Sequence, residues 1–431
     1  MEIGTTSKQI IRTYVTLTLL STFASSFIWG INTLFLLSAG LSNTQAFAAN
    51  AFFTVGQVLF EVPTGVVADT VGRRASYLLG SATLFGATIF YLTLWHAHGP
   101  FYLWALSSML LGLGFTFFSG ATEAWLVDAL HHTKYEKTLD HAFSRGQIAG
   151  GIAMLTGTLT GGVVAQATNL GVPYIMRAAA LAITFVVTLV LMKDVGFTPR
   201  KRVTVLKEMR RIVKASFDHG LRKRPVRWVM LAGPFGAGVS FYAFYAMQPY
   251  LLQLYGRSGS YAIAGLAAAI VAGAQIVGGL SVRWVRKLFK LRTSVLLFAS
   301  VASSIALVAI GMATSFWVVL VLLVVWGIVF AASQPVRQAY LNGLIPSSER
   351  ATVLSSDNLL ASSGGAIIQP GLGKVADVWS YGTSYMVGGL IYLLAVPFIL
   401  LAKRERPTSD PINSSRSTPV APAEPPADPV S

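Results

Sequence analysis

Long apolar runs separated by short polar segments recur along most of the chain, from residue 13 to residue 402. A run of about 20 apolar residues is long enough to cross the hydrocarbon core of a bilayer as a helix. All such runs should be helices, because a helix satisfies its own backbone hydrogen bonds within lipid. The pattern predicts twelve spans, numbered 1 to 12, at residues 13–39, 44–68, 75–95, 100–128, 146–168, 172–192, 228–254, 260–282, 293–313, 316–342, 351–373 and 382–402.

The composition supports a membrane protein and excludes several other classes. Hydrophobic residues make up 54% of the 431 residues and charged residues only 12%, against roughly 25% charged residues in a soluble globular chain. So few charges cannot cover a water-facing surface of this size, which excludes a soluble enzyme. The chain has no cysteine, which excludes a disulfide-stapled domain and a thiolate metal site. The predicted fold class is an all-α polytopic membrane protein.

The net charge of +16 would suggest a nucleic-acid partner in a soluble protein, but its distribution indicates membrane topology instead. If the N-terminus lies inside, all but three of the 33 Lys and Arg residues fall on the inner side of the predicted spans. Such a bias places both termini in the cytoplasm and predicts a multi-pass protein of the plasma membrane with no nucleic-acid partner. The exceptions are Arg177, Arg257 and Lys374, and we expect Arg177, at the outer start of span 6, to reach toward the lipid headgroups.

The spans fall into two groups of six, which divides the chain into four parts. Residues 1–192 are predicted to form an N-terminal six-helix bundle and residues 228–402 a C-terminal one. Residues 193–227 between them are basic with apolar residues at helical spacing, which predicts a cytoplasmic amphipathic linker on the inner membrane face. Residues 403–431 are rich in proline and are predicted to be a disordered cytoplasmic tail.

An internal repeat relates the two groups of spans. Gly65 near the inner end of span 2 corresponds to Gly279 near the inner end of span 8, at an offset of 214 residues. Glu123-Ala-Trp-Leu near the inner end of span 4 corresponds to Gln338-Ala-Tyr-Leu in span 10, at an offset of 215 residues. Two matches at nearly one offset predict two six-helix halves with the same orientation in the membrane.

Residues 65–74 read Gly-Val-Val-Ala-Asp-Thr-Val-Gly-Arg-Arg and lie between spans 2 and 3. This segment resembles the G-x-x-x-D-x-x-G-R-R signature of the major facilitator superfamily, and with the spans and the repeat the resemblance covers residues 10–402. It implies two six-helix bundles that rock about a central cavity, and a latch that closes the cytoplasmic side in the outward-facing state. The residues that we call the latch are Gly65, Asp69, Gly72, Arg73, Arg74 and, at the inner end of span 4, Asp128.

The residue types of the latch suit this role chemically. Asp69 and Arg73 are four residues apart, so they share one face of a continuing helix. Gly65 lets another helix approach closely, and Gly72 permits a tight turn. The second-half copy of the signature has Arg283 in place of the aspartate, so that half lacks the latch carboxylate.

Two carboxylates lie within the spans and are the predicted proton-coupling residues. Glu61 lies eight residues before Asp69 and Glu123 lies five residues before Asp128, about 12 Å and about 7.5 Å deeper at 1.5 Å per residue. Ionisable residues inside a membrane are costly and mostly functional. The repeat mate of Glu61 is Gln275, which cannot titrate, so the acid belongs to the N-terminal half. The alternative is a structural hydrogen bond or salt bridge between helices.

No cofactor is predicted for this chain. It contains no G-x-x-x-x-G-K-[ST] loop for ATP, and its histidines and acids form no cluster that suggests a metal site. The energy source for transport is then an ion gradient, with protons as the simplest coupling ion.

The spans that correspond to cavity-lining helices of the family, 1, 4, 7 and 10, are rich in aromatic residues. An aromatic, lightly charged cavity suits a lipophilic or amphiphilic small-molecule substrate, including cations held by ring faces. Arg337, near the inner end of span 10, either binds an anionic substrate or pairs with a carboxylate. The predicted substrate-binding residues are Trp29, Asn32, Phe241, Tyr242, Tyr245, Gln248, Gln275, Trp326, Gln334 and Arg337.

Span 5 partly resembles the G-x-x-x-G-P-x-x-G-G signature of the drug–proton antiporters of the superfamily. Gly157, Gly161 and Gly162 match, whereas Ala153 and Thr158 replace the first glycine and the proline. The predicted function is a monomeric proton-coupled exporter of small lipophilic or amphiphilic compounds. An uptake symporter or facilitator for a metabolite is an alternative on the same fold, and a non-transporting membrane scaffold or receptor is a second alternative.

Overall fold

The computed structural model describes residues 6–136, 138–199, 214, 216–257, 259–346 and 350–412. This part of the chain is helical, and its only β-type pairing is an isolated bridge between Leu291 and Pro411. Twelve helices occupy the positions of the twelve predicted spans, which confirms the predicted fold class. Their bounds are α1 Ser7–Ser26 continued by Asn32–Ser38, α2 Asn43–Thr70, α3 Arg73–Ala97, α4 Phe101–Phe118 continued by Ala121–His132, α5 Leu139–Ala167, α6 Val172–Leu191, α7 Arg224–Tyr255, α8 Tyr261–Leu280, α9 Arg292–Met312, α10 Phe316–Asn342, α11 Arg350–Val378 and α12 Tyr381–Leu393 continued by Ala395–Arg404.

Ten of these helices within the described ranges, α2 to α10 and α12, are long and apolar enough to cross a membrane. Helix α1 is rich in serine and threonine and is interrupted after Ser26, and α11 carries four charged residues. Both pack against several other helices, α1 against α5 and α6, and α11 against α2 and α7. Of the charged residues of α11, Asp357 is buried between helices, whereas Arg350, Lys374 and Asp377 are exposed near the helix ends. A lower hydropathy is tolerated at both kinds of position.

The helices form two bundles of six, α1 to α6 and α7 to α12, and each has its own aromatic core. In the first bundle, Phe35 stacks on Tyr174 at 3.9 Å between ring centroids and on Trp95 at 5.5 Å. In the second bundle, Tyr385 stacks on Tyr250 at 5.4 Å. We call the end of the molecule that holds the start of α1 and the end of α12 the terminal face, and the opposite end the distal face.

The central part of the predicted amphipathic linker, residues 200–213 and 215, lies outside the described residues. Its apolar positions Val203, Leu206, Met209, Ile212 and Val213 all fall there. The part that the structure describes includes a short π-helix, Ser216–Leu221, which packs against α7 and α11 just before α7 begins.

The first residues of the predicted tail are packed, which corrects the predicted boundary at residue 403. Helix α12 continues through residue 404, and residues 405–412 then lie against the terminal-face ends of α9 and α10. The disordered tail predicted from composition therefore does not include residues 403–412. The rest of that tail, from residue 413, lies outside the described residues.

Asp410 holds this C-terminal segment on the start of α9. Its carboxylate accepts hydrogen bonds from the backbone N and the Oγ1 of Thr293, each at 2.8 Å. Ser409 Oγ donates to the Tyr340 carbonyl at the end of α10 at 3.0 Å. Because the first N–H groups of a helix lack partners within it, Asp410 acts as the cap of α9.

Helix α1 is interrupted at residues 27–31, near the distal face. Gln248 of α7 bonds the backbone of this break: its Nε2 donates to the Trp29 carbonyl at 2.7 Å, and its Oε1 accepts from the Thr33 backbone N at 2.9 Å. Backbone groups freed within a membrane need such partners. A polar side chain of the second bundle therefore stabilises the broken helix of the first.

A carboxylate of one bundle caps a helix of the other at the distal face. Asp377, near the end of α11, accepts hydrogen bonds from the Asn43 backbone N at 2.9 Å, the Thr44 backbone N at 2.8 Å and Thr44 Oγ1 at 2.5 Å. These groups belong to the first turn of α2, whose dipole favours a negative charge. The Tyr381 hydroxyl also donates to Asn43 Oδ1. The two bundles are thus joined at this end.

Helices α5 and α8 also approach closely toward the distal face. A Cβ atom at Gly265 would lie 2.9 Å from Gly162 Cα and 2.9 Å from the Thr158 carbonyl oxygen, which is closer than a real Cβ atom can come. Nearby, Gln166 Oε1 accepts a hydrogen bond from the Ala262 backbone N at 3.1 Å. Small residues permit backbone contact between membrane helices, so this glycine pair sets how tightly the bundles close.

Candidate functional site

A central cavity of about 480 Å³ lies where the two bundles meet. This volume is within the roughly 300–1,000 Å³ of small-molecule sites. Nine of its nineteen lining residues are aromatic, so a flat apolar molecule would contact ring faces. The predicted substrate-binding residues that line it are Trp29, Asn32, Phe241, Tyr245, Gln275 and Trp326.

Two predicted substrate-binding residues lie away from this cavity, which corrects their predicted placement. Tyr242 is buried where the bundles meet: its ring centroid lies 4.7 Å from that of Phe47 of α2 and 5.9 Å from that of Tyr385 of α12. Gln248 is buried against the break in α1, and both ends of its amide are bonded there. For Tyr242 the reason is helix rotation: successive residues of α7 point about 100° apart, so Phe241 and Tyr245 face the cavity and Tyr242 does not. Gln248 lies on the same side of α7 as Phe241, but about two turns closer to the distal face.

A second cavity of about 290 Å³ extends toward the terminal face within the second bundle. It shares Ala237, Phe241 and Phe330 with the central cavity, so the two adjoin. Gln334 and Arg337, both predicted to bind substrate, line this second cavity rather than the central one.

Arg337 is paired with a carboxylate that the sequence reasoning did not single out. Its Nη1 and Nη2 donate to Asp357 of α11 at 2.5 Å and 2.6 Å, and Nη2 also contacts the Val229 carbonyl at 3.3 Å. Asp357 is 2% exposed. The sequence left two alternatives for Arg337, an anionic substrate or a carboxylate of the protein. In the structure Arg337 pairs with the carboxylate. The sequence does contain a signal for this partner, because Asp357 is an acid within predicted span 11 and acids inside spans are rare.

A third cavity of about 560 Å³ extends toward the terminal face within the first bundle. It shares Trp29, Gln57 and Phe115 with the central cavity. Both predicted proton-coupling residues, Glu61 and Glu123, line it. The two acids therefore lie between the central cavity and the terminal face.

Neither acid forms an ion pair within the described part of the chain. Glu61 Oε1 accepts a hydrogen bond from Ser119 Oγ at 3.1 Å, and Glu123 is exposed to the cavity. Helix α4 is interrupted at Ser119 and Gly120, so Glu123 lies in the first turn of its second piece. The dipole of that piece favours a negative charge at this position.

Three latch residues meet at the terminal face of the first bundle. The Arg73 guanidinium lies 2.6 Å from the Asp69 carboxylate and 3.8 Å from the Asp128 carboxylate. All three side chains are partly exposed, so each pair alone stabilises the bundle only weakly. Together they place one cation between two acids on neighbouring helices.

The other latch residues shape the turn between α2 and α3. Gly72 has φ +131°, a backbone conformation open to glycine. The Arg74 backbone N donates to Asp194 Oδ1 at 2.9 Å, and its side chain donates to the Leu189 carbonyl at 2.6 Å. Sequence reasoning missed Asp194. A Cβ atom at Gly65 would meet no described atom within 4 Å, so the close helix approach expected there is absent in this conformation.

The matched glycines of span 5 are packing residues in this structure. A Cβ atom at Gly157 would overlap Ser26, and one at Gly161 would overlap the backbone of Phe27, so both hold α5 against α1. Gly162 instead faces Gly265 of α8. This stripe of small residues therefore brings α5 close to helices on two sides.

Arg177 corrects another sequence expectation. It was expected to reach the headgroups, but it is 2% exposed and lines the central cavity, with its Nε donating to Thr88 Oγ1 at 3.1 Å. The sequence predicts the depth of Arg177 in the membrane. It does not predict that Arg177 lies on the side of α6 that faces the bundle interior. Other cavity residues on helices not expected to line it are Asn50, Phe53, Gln57 and Tyr91.

The fold and its cavities define a class: a polytopic membrane protein with a central small-molecule cavity between two six-helix bundles. The sequence profile of the Major Facilitator Superfamily matches residues 14–303 and 287–427. The chain therefore belongs to the major facilitator superfamily, as its signature at residues 65–74 predicted. A comparison with curated protein sequences gives no match.

Several solved transporter structures share this fold. A mutant form of the nucleoside transporter NupG has a TM-score of 0.74 at 14% identity, with 90% of this chain and 99% of that chain covered. A POT family transporter in complex with 5-aminolevulinic acid has a TM-score of 0.70 at 14% identity, with 92% and 96% covered. A D-xylose-proton symporter has a TM-score of 0.66 at 15% identity, with 91% and 96% covered. Identities this low establish a shared fold, so the substrate must be argued from the cavity itself.

Proposed function

We propose that the protein is a proton-coupled secondary transporter that exports small amphiphilic organic molecules across the plasma membrane by alternating access. The observation that supports this is the aromatic central cavity, which adjoins two cavities leading toward the terminal face. Contacts between the bundles close the opposite end. A midplane site with access from one side is one of the two main states of such a cycle. We propose that the protein acts as a monomer and is not an enzyme.

The distribution of basic residues gives the proposed orientation. With the Lys and Arg residues inside, the terminal face is cytoplasmic and both termini lie in the cytoplasm. The described conformation then corresponds to the inward-facing state, which cargo enters from the cytoplasm. Release on the outside requires the contacts at Asp377 and Gly265 to separate.

Glu61 and Glu123 are the proposed proton carriers. Cargo moving between the central cavity and the terminal face passes the cavity that they line. Since neither forms an ion pair among the described residues, each can bind and release a proton without breaking a salt bridge. In an exporter, protons would reach these acids from outside and leave to the cytoplasm, opposite to the cargo.

The latch is proposed to act when the terminal face closes. In the described conformation Arg73 is positioned by Asp69 and Asp128 of its own bundle. The open space beside Gly65 leaves room for a helix of the second bundle to approach during closure. The latch would then stabilise the outward-facing state.

Inside-out membrane vesicles test the proposal. Acidifying the lumen should drive accumulation of a fluorescent amphiphile such as 8-anilinonaphthalene-1-sulfonate, and a protonophore should abolish that accumulation. Gradient-driven accumulation should also be lost in Glu61→Gln, in Glu123→Gln or in both. The matched control is Glu136→Gln, which changes an exposed acid in the loop between α4 and α5 and should transport normally. Wild-type rates in both test variants would show that the proton assignment is wrong.

The direction of the response separates the proposed exporter from the alternatives. A symporter would accumulate the probe when the lumen is alkaline, because cargo then moves with the protons. A facilitator would equilibrate the probe regardless of the gradient. A protein that binds the probe but moves it under neither gradient would be a non-transporting receptor or scaffold, and the proposed function would be wrong.

A further inference from the structure

We propose that Arg177 is the anion-binding group of the central cavity, so that the cargo is an amphiphile with one anionic group on an aromatic body. The anionic group would be a carboxylate, a sulfonate or a phosphate. This inference rests on the proposed transport function and specifies its substrate class. The guanidinium of Arg177 is fully buried and lies at the wall of the cavity.

The position of the Arg177 side chain is fixed by neighbouring helices. Its Nε donates to Thr88 Oγ1 of α3 at 3.1 Å, and that hydroxyl donates to the Leu84 carbonyl at 2.6 Å. Its guanidinium carbon lies 6.0 Å from the centre of the Phe115 ring of α4. The Nε bond occupies one edge of the guanidinium. In the described structure Nη1 and Nη2 have no protein acceptor, and the residue lines the cavity.

No carboxylate of the described chain pairs with Arg177. Its ionisable neighbours are the phenols of Tyr91 and Tyr174, whose hydroxyls bond Ser108 and Asn32. Arginine is always charged in proteins, and a buried charge without a counter-ion is costly. An anionic ligand would remove that cost, whereas a cationic ligand would be repelled. The charge therefore favours anions among the amphiphiles that the aromatic wall accepts.

An amide donor beside the same cavity supports an acceptor-rich ligand. Tyr174 donates to Asn32 Oδ1 at 2.7 Å, and Asn32 Nδ2 donates to Asn50 Oδ1 at 2.8 Å. Asn50 Nδ2 is buried and has no acceptor among the described residues. Both Asn32 and Asn50 line the central cavity. The wall thus offers guanidinium and amide donors without acceptors, which complements the oxygens of an anion.

The rest of the wall defines the body of the ligand. The second-bundle side of the cavity is lined by Phe241, Phe244 and Tyr245 of α7 and by Trp326 and Phe330 of α10. Ring faces bury flat apolar groups well. A ligand of this kind places its aromatic body against α7 and α10 and its anionic group on α6.

Binding of three matched naphthalene compounds to the purified full-length protein tests the inference. The compounds are 2-naphthoate, 2-naphthamide and 2-naphthylmethylammonium, which share one aromatic body and differ in charge. Isothermal titration in chloride-free buffer should show 2-naphthoate binding at least about tenfold more tightly than either of the others, as expected for a charge-assisted bond. Equal binding of the amide or the cation would overturn the inference, as would undetectable binding of 2-naphthoate at about 1 mM.

Two substitutions assign the preference to one side chain. Arg177→Gln should lose the preference for 2-naphthoate, and Arg177→Lys, which keeps the positive charge, should retain much of it. The matched control is Arg257→Gln, an exposed arginine at the distal face, which should behave as wild type. An unchanged preference in Arg177→Gln would overturn the assignment. If Arg177→Gln does not fold, the comparison of the three compounds on the wild-type protein still decides whether the cavity prefers an anion, and Arg177→Lys tests the side chain.

The result of the binding experiment on Arg177 can be interpreted independently of the transport experiment on the proposed function. Binding at equilibrium requires no gradient, so the anion preference can hold even if Glu61→Gln and Glu123→Gln transport normally. Conversely, gradient-driven transport of a neutral or cationic amphiphile, together with equal binding of the three compounds, would refute the role of Arg177 alone.

Discussion

Two arginines inside the bundles, the buried Arg177 and the partly buried Arg337, have opposite electrostatic environments. Arg337 is bidentate with Asp357, and the two charges balance each other inside the second bundle. Arg177 has a hydroxyl partner at Nε and no carboxylate within the described ranges. A charge removed from water is stable only when it is compensated. The protein compensates Arg337, whereas Arg177 has the proposed anionic ligand as its counter-ion.

The Arg337 pair leads to a prediction about stability. Asp357→Ala should lower the free energy of unfolding by about 3 kcal/mol, because it leaves the largely buried Arg337 cation without its partner. Removing both charges, with Arg337→Met and Asp357→Leu together, should restore most of the loss. The measurement is reversible chemical unfolding in mixed micelles, with the exposed Glu405→Ala as the control. A stable Asp357→Ala protein with altered cargo affinity would instead mean that Arg337 serves the substrate.

The residue scale is where prediction from sequence was weakest. Glu61 and Glu123 could be singled out because an acid in a span is rare, and both line one cavity. Tyr242 could not be placed, because a twelve-span pattern gives the depth of a residue but not the direction it faces. Gln248 could not be placed because the break in α1 that it bonds has no signal in the sequence. Arg177 was missed for the same reason: its depth suggested the headgroups, and its rotation turns it inward.

At the scale of helices, the apolar runs predicted every spanning element but not the interruptions within them. The break in α1 at residues 27–31 follows no proline and no charged run. It is held by Gln248, more than 200 residues later in the chain, and only the folded molecule brings the two together. The packed segment at 405–412 was missed because a proline-rich composition suggested disorder, whereas specific bonds to α9 and α10 hold its first residues.

The glycine contact between α5 and α8 leads to a prediction about conformation. Gly265→Ala should oppose distal closure by about 1–3 kcal/mol, because the new Cβ would overlap the α5 backbone. The population of molecules with an open distal face should therefore increase. Because the chain has no cysteine, spin labels on Thr168→Cys and Arg257→Cys would report the distance between the bundles at the distal face without background. Double electron–electron resonance should show longer distances in the variant.

A matched control exists on the same helix. Gly273→Ala also replaces a glycine of α8, but its Cβ would meet no described atom within 4 Å. Its distance distribution should equal that of the wild type. If both variants behave alike, helix propensity rather than backbone contact determines the closure.

For the whole molecule, the polar bonds between the bundles cluster at the distal face, whereas the cavities lead toward the terminal face. The internal repeat predicted two equivalent halves, but the conformational state depends on groups that the repeat does not share. Asp377 binds the start of α2 across the interface. The latch, by contrast, is assembled on Arg73 within the first bundle. The sequence can therefore predict the architecture. Which face of the molecule is open depends on side-chain contacts between the two halves, and these are known only from the structure.

Asp377 leads to a prediction at this scale. Asp377→Asn should weaken the cap on α2 by about 0.5–1 kcal/mol, a modest value because the carboxylate is exposed. The distal face should then open more often, and the spin-label pair at Thr168 and Arg257 should show a larger long-distance fraction. Lys374→Gln, one turn earlier on α11, is the matched control and should leave the distances unchanged. An unchanged distribution in Asp377→Asn would show that the cap does not contribute to closure.

The cap that Asp410 provides for α9 has a consequence for biosynthesis. Thr293 leaves the ribosome 117 residues before its partner Asp410. At roughly 5–20 residues per second, α9 waits about 6–23 s for its cap. During that interval the start of α9 must rely on water or headgroups for its free N–H groups. The second bundle is therefore completed only after its last helix has been translated, and a ribosome that stops before residue 410 would release a bundle with all six helices but an uncapped α9.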